Sequence, residues 1–198
     1  MNAPLHVEIR GTGPDLVLLH GWALHGGMWG PWIDELARRA RLHLIDLPGH
    51  GRSRWPAGAS TLRDLARAVS PHVPNGAAVL GWSLGGMVAL ELARSRPGDL
   101  AALVLIATTP CFLARDDWPA GMNIGVLDGF AAGIAGDYRR TLSNFLALQT
   151  WGDENASQAL RSLRANLDSH GEPDPQALAA GLNILRTADL RDALAAIT

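Results

Sequence analysis

Short apolar runs alternate with segments of helical periodicity along the first half of the chain. Five runs of mostly apolar residues predict strands at 5–10, 16–19, 42–47, 77–80 and 103–106. Between them, apolar residues that recur every three or four positions predict helices at 28–40, 61–73 and 87–93. Strands that alternate with helices in this way predict an α/β fold with a mostly parallel sheet covered on both faces.

The rhythm changes after residue 109. Helical spacing predicts helices at 126–134, 138–150, 153–167 and 175–186, and no strand pattern appears before residue 188. Asp174 followed by Pro175 is typical of a helix N-cap and its first position. We therefore predict three parts, namely the N-terminal part of an α/β core at 1–109, a helical cap at 110–188, and a return to the core at 189–198. Because ligands of open α/β sheets bind at the strand ends, the cap is expected to cover a ligand site.

Composition and charge narrow the classes of partner. The chain has 198 residues, is 47% hydrophobic and 18% charged, and carries a net charge of -2, so no overall field favours nucleic acid or an anionic membrane. No apolar run approaches membrane-spanning length, and the first residues lack the basic and apolar regions of a signal peptide, which predicts a cytoplasmic protein without a membrane partner. The single cysteine, Cys111, excludes an internal disulfide and is predicted to be a buried, unreactive thiol.

The segment Gly81-Trp82-Ser83-Leu84-Gly85 carries the clearest chemistry of the chain. It has the form G-x-S-x-G and lies where the predicted strand 77–80 ends and the helix 87–93 begins. A serine on such a turn exposes its hydroxyl at the end of the sheet, while the flanking glycines let the turn fold tightly against its neighbours. A chance match is the alternative, which the strand-turn-helix context disfavours. Ser83 is therefore predicted to be a nucleophile, with the backbone N–H of Leu84 as an oxyanion donor.

Two further motifs follow earlier predicted strands. They are His20-Gly21-Trp22 and the segment 46–53, which reads Asp-Leu-Pro-Gly-His-Gly-Arg-Ser. With the G-x-S-x-G segment at this spacing, the chain resembles the α/β-hydrolase family over essentially all of its residues. Segments 110–112, 114–119, 145–150 and 189–191 are similar to those of family members that hydrolyse an ester on acyl-carrier protein in biotin synthesis. The resemblance implies a serine carboxylesterase that needs no metal or cofactor and has acyl-carrier protein as its partner.

The resemblance also assigns roles to individual residues. It makes the backbone N–H of Trp22 the second oxyanion donor, and it places Trp22, Leu84 and Phe145 around the acyl group of the substrate. The alternative for Phe145 is simple packing within the cap, since it lies among leucines at helical spacing. Both interpretations of Phe145 stay open at this stage.

Arginines in the predicted cap helices form a candidate docking surface. Arg140 and Arg161 match positions that contact the carrier protein in the family, and Arg164 shares a helix face with Arg161. A locally basic cap would steer an acidic carrier protein. Asn144 and Ser157 stand where a further arginine is expected, and a solvated charged face is the alternative.

None of the histidines is placed in the sequence as a catalytic base or a metal ligand would be. His20 could be imagined as the base, but hydrolases of this fold carry the serine, the acid and the histidine in that order, so His20 is predicted to shape the oxyanion loop. Asp46 also precedes Ser83 and is predicted to belong to a structured turn with Gly49 and Arg52. The other histidines have no metal-site spacing and are predicted to be surface or loop residues; they are His25, His43, His50, His72 and His170.

The family resemblance implies that further residues follow Thr198. A complete member is expected to continue through two more strands and helices that carry the acid and the histidine, roughly 50–70 residues in a domain of this size. Residues 1–198 alone are then expected to lack a base for Ser83, and the strand 103–106 is expected to be an exposed edge open to self-association. Three functions stay open: the carrier-protein esterase, a hydrolase acting on other esters, lactones or carbon–carbon bonds, and a fragment that only binds.

Overall fold

One five-stranded sheet forms the centre of the molecule. A computed structural model of the chain describes residues 5–149, 161, 165–166, 169–195 and 197. The sheet has the order β1-β3-β2-β4-β5. The strands are Val7–Arg10 (β1), Asp15–Leu19 (β2), Arg41–Ile45 (β3), Ala78–Trp82 (β4) and Ala102–Ile106 (β5). β1 runs antiparallel to β3 and the other three pairs are parallel, which confirms the predicted mostly parallel α/β sheet.

The central strands are apolar because both of their faces are covered. β2 lies between β3 and β4, and the side chains of Val17, Leu18 and Leu19 are completely buried. A parallel strand packed on both sides reads as a continuous apolar run, which is why the strand could be recognised from four consecutive residues. The end of β2 is therefore held firmly where His20 and the following loop begin.

Three helices follow strands of the first half of the chain. They are Trp32–Ala37 (α1), Leu62–Val69 (α2) and Leu84–Ser95 (α3). α2 begins with a capping box, in which the side chains of Thr61 and Asp64 each accept from the backbone N–H of the other residue. α2 ends at Val69 and continues as a short 3-10 turn, because Pro71 cannot continue the α-helical hydrogen bonds.

The predicted helix at 28–40 is wrong at its ends, since α1 spans only Trp32–Ala37. The structure has a 3-10 turn at Gly26–Trp29, and α1 begins only at Trp32. Gly30 lies between them with φ 78, a left-handed backbone conformation that ends a helix, and Pro31 follows it. The apolar spacing was misleading because Trp29 and Trp32 do share a packed face, with ring centroids 5.9 Å apart in an edge-to-face arrangement.

Four helices follow the last strand in the described ranges. They are Ile124–Gly136 (α4), Tyr138–Gln149 (α5), Pro175–Thr187 (α6) and Arg191–Leu194 (α7). The Asp174 side chain accepts from the Gln176 N–H at 2.7 Å, which confirms the predicted cap of α6. The predicted helix 153–167 lies outside the described residues, apart from residues 161, 165 and 166.

The two ends of the segment 110–188 meet beside the core. The Leu190 N–H donates to the Pro110 carbonyl at 2.8 Å, and Cys111 forms an isolated bridge with Asp189. Cys111 is buried, as the sequence predicts. These contacts suit an insertion whose ends leave and re-enter the core at one place, but the division at residues 109 and 188 stays a prediction.

β5 is an edge strand of the described sheet. It pairs with β4 alone, and Val104, Leu105 and Ile106 are 44%, 40% and 41% exposed. The strand 103–106 was expected to be an exposed edge, and this is confirmed for the described residues, because one side of β5 has no neighbouring strand there. None of the helices in the described ranges is long and apolar enough to cross a membrane.

Candidate active site

Ser83 forms a sharp bend between β4 and α3. Its backbone has φ 53 and ψ −118, a conformation that non-glycine residues rarely adopt. Its N–H donates to the Ile106 carbonyl at 2.9 Å, and its carbonyl accepts from the Gly86 N–H at 2.9 Å and the Thr108 hydroxyl at 2.8 Å. Hydrogen bonds to β5 and to the segment after it therefore hold the bend that presents the serine side chain.

The glycines of the bend are required by close backbone contacts. A Cβ atom on Gly81 would lie 2.5 Å from the Gly86 Cα, and one on Gly85 would lie 2.2 Å from the Leu19 carbonyl oxygen. Contacts this short cannot be relieved by moving a flexible side chain, because the atoms met are backbone. The G-x-S-x-G spacing is thus explained by the approach of α3 to the ends of β4 and β2.

The loop after β2 turns towards Ser83. The Leu24 N–H donates to the Gly21 carbonyl at 3.2 Å, and Ala23 closes the turn with φ 62. A Cβ atom on Gly21 would lie 3.4 Å from the Ser83 Cβ, so the turn packs directly beside the serine side chain.

Two backbone N–H groups beside the serine are available to a ligand. Leu84 is the first residue of α3, and the first N–H groups of a helix have no partner within it. Within the described ranges, no residue accepts a hydrogen bond from the N–H of Leu84 or of Trp22. The role of these two groups as oxyanion donors stays a prediction.

Backbone strain is concentrated around this site. Among the described residues, the non-glycine positions with positive φ are Ala23, Ser83 and Ala107, with values of 62, 53 and 46. They follow the carboxyl ends of β2, β4 and β5, the three strands that border the site. At each such residue the backbone conformation costs about 1–3 kcal/mol of strain energy, which contacts with the surrounding structure must offset.

A cavity of about 370 Å³ adjoins the serine. Its wall is mainly apolar and includes Trp22, Phe130 and Phe145, with successive ring centroids 5.3 Å apart. Phe145 both packs within the cap and borders the cavity, so the two interpretations given above are compatible. A larger groove of about 450 Å³ lies between α2, α3 and the end of α6, and its wall does not include Ser83.

Phe130 was not foreseen as part of the site. It lies on α4, one turn after Val126 and Leu127, and all three border the cavity. The spacing of these apolar residues was visible in the sequence, but their direction depends on how α4 packs against the core. Trp82, directly before the serine, was also missed as a wall residue.

His20 is engaged at both ring nitrogens. Its Nε2 accepts from the Leu47 N–H at 2.9 Å, so its Nδ1 carries the proton and donates to the Gly21 carbonyl at 2.8 Å. Burial, followed by the neighbouring His50, lowers the pKa of His20 to about 3. The ring links the loop after β2 to the loop after β3, as expected of a residue that shapes the oxyanion loop, and it has no free nitrogen for a proton from Ser83.

Asp46 is the centre of a hydrogen-bonded turn. Its buried carboxylate accepts from the Gly26 N–H at 2.6 Å and the Arg52 N–H at 2.9 Å, and its carbonyl accepts from the Ser53 hydroxyl. Burial alone would raise the pKa of Asp46, but the N–H groups of Arg52 and Gly26 outweigh it and lower the pKa. The predicted structured turn is therefore present, with the carboxylate charged at its centre.

One histidine position differs from the sequence expectation of surface or loop residues, since His43 is buried within β3. His25 and His50 lie in loops as predicted, but they are buried there. His25 and His170 also come together beside Asp46, and the His170 Nδ1 lies 3.3 Å from an oxygen of that carboxylate. Sequence spacing gave no sign of this group because 124 positions separate Asp46 from His170.

This group is the one place in the described ranges where metal-ligand side chains gather. One ligand atom from each of His25, Asp46 and His170 lies within 4.8 Å of the others. However, the two rings are stacked, with centroids 4.3 Å apart and planes 25° apart, so their in-plane lone pairs do not point to one centre. His25 is also bonded to the Asn166 carbonyl and the Gly27 N–H. The geometry is that of a packing contact rather than a metal site.

The candidate docking arginines are partly described. Arg140 projects from α5 with 77% of its side chain exposed, and its ion pair among the described residues is a distant one of 3.7 Å with Asp137. Arg161 is exposed, and Arg164 lies outside the described residues. Arg139, next to Arg140, is bound to Glu172 at 2.7 Å.

In the described part of the chain, no imidazole or carboxylate hydrogen-bonds to the Ser83 hydroxyl. The described arrangement therefore contains a serine at a strained bend, two backbone N–H groups without a described acceptor and an apolar cavity of about 370 Å³. Nucleophilic catalysis needs a base in addition to these groups.

Known proteins match this chain along most of its length. The pimeloyl-[acyl-carrier protein] methyl ester esterase of Nitrosomonas europaea is 46% identical over 189 residues, which cover 96% of this chain and 75% of that protein. The protein of that name from Yersinia pseudotuberculosis is 50% identical over 184 residues, covering 93% and 70%. Among solved structures, an esterase from Exiguobacterium antarcticum superposes with a TM-score of 0.85 at 25% identity, over 98% of this chain and 74% of that one.

A family model supports the same assignment. The model of the alpha/beta hydrolase fold matches residues 14–184, a range that contains the serine bend, the loop after β2 and most of the cap. The sheet order, the bend and these similarities agree with one another. The chain therefore belongs to the α/β-hydrolase family and, within it, resembles the pimeloyl-[acyl-carrier protein] methyl ester esterases.

Proposed function

We propose that this chain is a serine carboxylesterase that hydrolyses the methyl ester of pimeloyl-acyl-carrier protein in biotin synthesis. The observation that carries the proposal is the bend at Ser83, which faces an apolar cavity, together with the N–H groups of Trp22 and Leu84, which have no acceptor among the described residues. The names of relatives that are 46% and 50% identical supply the substrate. The fold by itself would be compatible with many reactions.

The reaction follows from these groups. The Ser83 Oγ attacks the ester carbonyl carbon while a base takes its proton, and the N–H groups of Trp22 and Leu84 stabilise the oxyanion. The intermediate collapses, methanol leaves with a proton, and water then attacks the acyl-enzyme to release the carboxylic acid. Loss of a single oxyanion donor in such sites costs about 3–4 kcal/mol of transition-state stabilisation.

The cavity is suited to the apolar part of a medium-length acyl chain. Its wall is formed by Trp22 from the core together with Phe130 and Phe145 from the cap. Such a surface favours methylene groups and offers few partners to a polar substrate. We therefore retain Trp22, Leu84 and Phe145 as proposed substrate contacts and add Phe130.

We propose that the carrier protein docks on the cap through Arg140, Arg161 and Arg164. Support comes from the exposed guanidinium groups of the first two on a chain of net negative charge. Reversing all three charges should raise KM for the carrier-bound ester several-fold and flatten its salt dependence, because steering is electrostatic. Separately, we propose that the protein is located in the cytoplasm.

The matched controls use a small substrate and a different arginine. Small p-nitrophenyl esters should be hydrolysed equally by wild type and the reversed variant. Arg39→Glu, at a side chain that is 81% exposed outside the cap, should leave both substrates unchanged. Equal loss on both substrates in the reversed variant would indicate a destabilised cap instead of a docking surface.

The nucleophile is tested by Ser83→Ala. The variant of the full-length gene product should keep its fold and lose hydrolysis by a factor on the order of 10⁶, as in other serine hydrolases that lose their nucleophile. A fluorophosphonate should label Ser83 of the wild type, and growth of a biotin auxotroph should be restored by wild type alone. Labelling of another serine would refute the assignment. A polypeptide limited to residues 1–198 should turn over little ester, since its described residues offer Ser83 no base.

We further propose that this 198-residue polypeptide self-associates through β5. The support is an apolar edge strand whose outer backbone groups lack a neighbouring strand in the described sheet. Sedimentation should show dimers or larger species, and Leu105→Lys should return them to monomers. A monomeric wild-type polypeptide would contradict the proposal.

A further inference from the structure

The side chain of Trp22 is held by the cap helix α6. Its indole Nε1–H donates to the Leu178 carbonyl at 3.0 Å, and the residue is only 5% exposed. The ring also packs against Phe130 of α4, with centroids 5.3 Å apart. The backbone of the same residue supplies the proposed oxyanion donor, so the cap contacts one of the groups that would stabilise the transition state.

Gly181 makes this arrangement possible. It lies one turn after Leu178 on α6, so the two residues share a helix face. A Cβ atom on Gly181 would lie 2.3 Å from the Trp22 Cδ1 and 2.6 Å from its Nε1. Any residue other than glycine at this position would displace the ring.

The backbone of α6 does not itself require glycine. Gly181 lies in the middle of the helix and is not among the glycines with positive φ, so another residue could adopt its conformation. Glycine is one of the least favourable residues inside a helix. Space for the indole ring is therefore the physical reason for this residue.

The same loop has further contacts with residues beyond the core. The Tyr138 hydroxyl of α5 lies 3.4 Å from the Ala23 carbonyl, and the His25 Nε2 lies 2.8 Å from the Asn166 carbonyl. Trp22, Ala23 and His25 are close neighbours in the turn that faces Ser83. Its position is thus determined from the cap side as well as from His20 on the core side.

We propose that Gly181 and the Leu178 carbonyl form a seat for the Trp22 ring that positions the oxyanion loop for catalysis. Gly181 is a positioning residue, because it acts through Trp22 and does not touch the substrate. The inference rests on the proposed esterase function for its kinetic part. Its structural part, the seat itself, can be tested without any turnover.

The experiment compares Gly181→Ala with Gly129→Ala. Gly129 is also inside a cap helix, but a Cβ atom there would meet nothing within 4 Å. With p-nitrophenyl butyrate, Gly181→Ala should lower kcat roughly 10- to 100-fold, with KM changed less than about threefold, because a displaced oxyanion donor weakens the transition state more than the ground state. Gly129→Ala should match wild type.

Indole resonances report the seat directly. The chain has seven tryptophans, and Trp22→Leu identifies the signal of Trp22 by its loss. In wild type this N–H should exchange slowly with solvent because it is buried and hydrogen-bonded. In Gly181→Ala its resonance should shift and its exchange should quicken, whereas in Gly129→Ala it should stay in place.

A double variant separates the seat from simple damage to α6. Trp22→Leu alone should also lower kcat, but adding Gly181→Ala to it should lower kcat by less than about threefold more, because the colliding ring is gone. Equal losses in both backgrounds, or an unchanged Trp22 resonance in Gly181→Ala, would overturn the proposal. A shifted resonance with unchanged kcat would refute the positioning role. Absence of hydrolysis by full-length wild type would refute the proposed function, while the resonances would still decide on the seat.

Discussion

The serine bend and the oxyanion loop face the same cavity but are held in different ways. The bend at Ser83 is fixed by backbone atoms of the core, since Gly81 and Gly85 pack directly on neighbouring main chain. The loop after β2 is fixed in part by side-chain hydrogen bonds to residues far away in sequence. Trp22 and Leu178, for instance, are 156 positions apart. The geometry of the serine bend thus belongs to the core alone, whereas the core and the cap share control of the loop that carries Trp22, a proposed oxyanion donor.

The largest expected effect comes from disturbing the bend. Gly85→Ala would place a Cβ atom 2.2 Å from the Leu19 carbonyl oxygen and 2.5 Å from that of His20. Because both contacts are with backbone, we expect the free energy of unfolding to fall by about 3 kcal/mol, with loss of Ser83 labelling. Urea unfolding measures the free energy, and reaction with a fluorophosphonate measures the labelling of Ser83. Unchanged stability would mean that α3 can move away from β2, and the bend would then be no more rigid than the loop.

Acidification tests the core side of the loop. The unfolded chain binds protons at histidine near pH 6.5, whereas burial lowers the folded pKa values of His20 and His50 to about 3 and about 4. The stability from these neutral rings is therefore complete above pH 6.5 and is lost as the pH falls towards the folded values. Each ring contributes at most about 1.4 kcal/mol per pH unit, so we expect a loss of about 2 kcal/mol between pH 7 and 5.5.

One substitution divides this acid effect between the two rings. The buried Nε2 of His50 has no hydrogen-bond partner among the described residues, so His50→Phe removes a titrating group at the cost of the 2.9 Å bond from Nδ1 to the Pro48 carbonyl and of a slightly larger ring. Urea unfolding across the same pH range should show about half of the wild-type loss. A variant with the full wild-type slope would assign the acid sensitivity to other groups.

The smallest expected effect concerns a peripheral contact between the cap and the loop. Tyr138→Phe removes a long hydrogen bond of 3.4 Å to the Ala23 carbonyl. We expect kcat for p-nitrophenyl butyrate to fall about two- to threefold, corresponding to the roughly 0.5 kcal/mol at the low end for a single hydrogen bond. Labelling of Ser83 should proceed as in wild type. A loss greater than tenfold would show that the tyrosine does more than support the loop.

The contrast between bend and loop also explains what the sequence could predict. Ser83, its glycines and the start of α6 at Asp174 and Pro175 were predictable, because each depends on a few neighbouring residues. The seat of Trp22 was not, since it needs the position of α6 relative to the core. The sequence held one sign of this contact, because Gly181 lies within a helical pattern where no turn explains a glycine.

The burial of polar residues was also unpredictable wherever it depends on the packing of distant segments. The cluster of His25, Asp46 and His170 depends on contacts between distant segments, so no spacing in the sequence could predict it. The early start predicted for the helix at 28–40 has a local cause, because the apolar spacing there was given more weight than Gly30 and Pro31. Local signals thus predicted the core elements and the bend at Ser83, while packing decided the wall of the cavity.

The strained residues at the ends of β2, β4 and β5 have a consequence for how the protein opens. Relaxing Ala23, Ser83 or Ala107 releases strain that no other described non-glycine residue holds in a left-handed conformation. We therefore expect local unfolding at the rim of the cavity to require less free energy than separation of the buried strand β2 from its neighbours. An acyl-enzyme whose carbonyl oxygen binds the N–H groups of Trp22 and Leu84 would bridge two of these bends. Its formation should then slow amide hydrogen exchange along the rim while leaving the sheet unchanged.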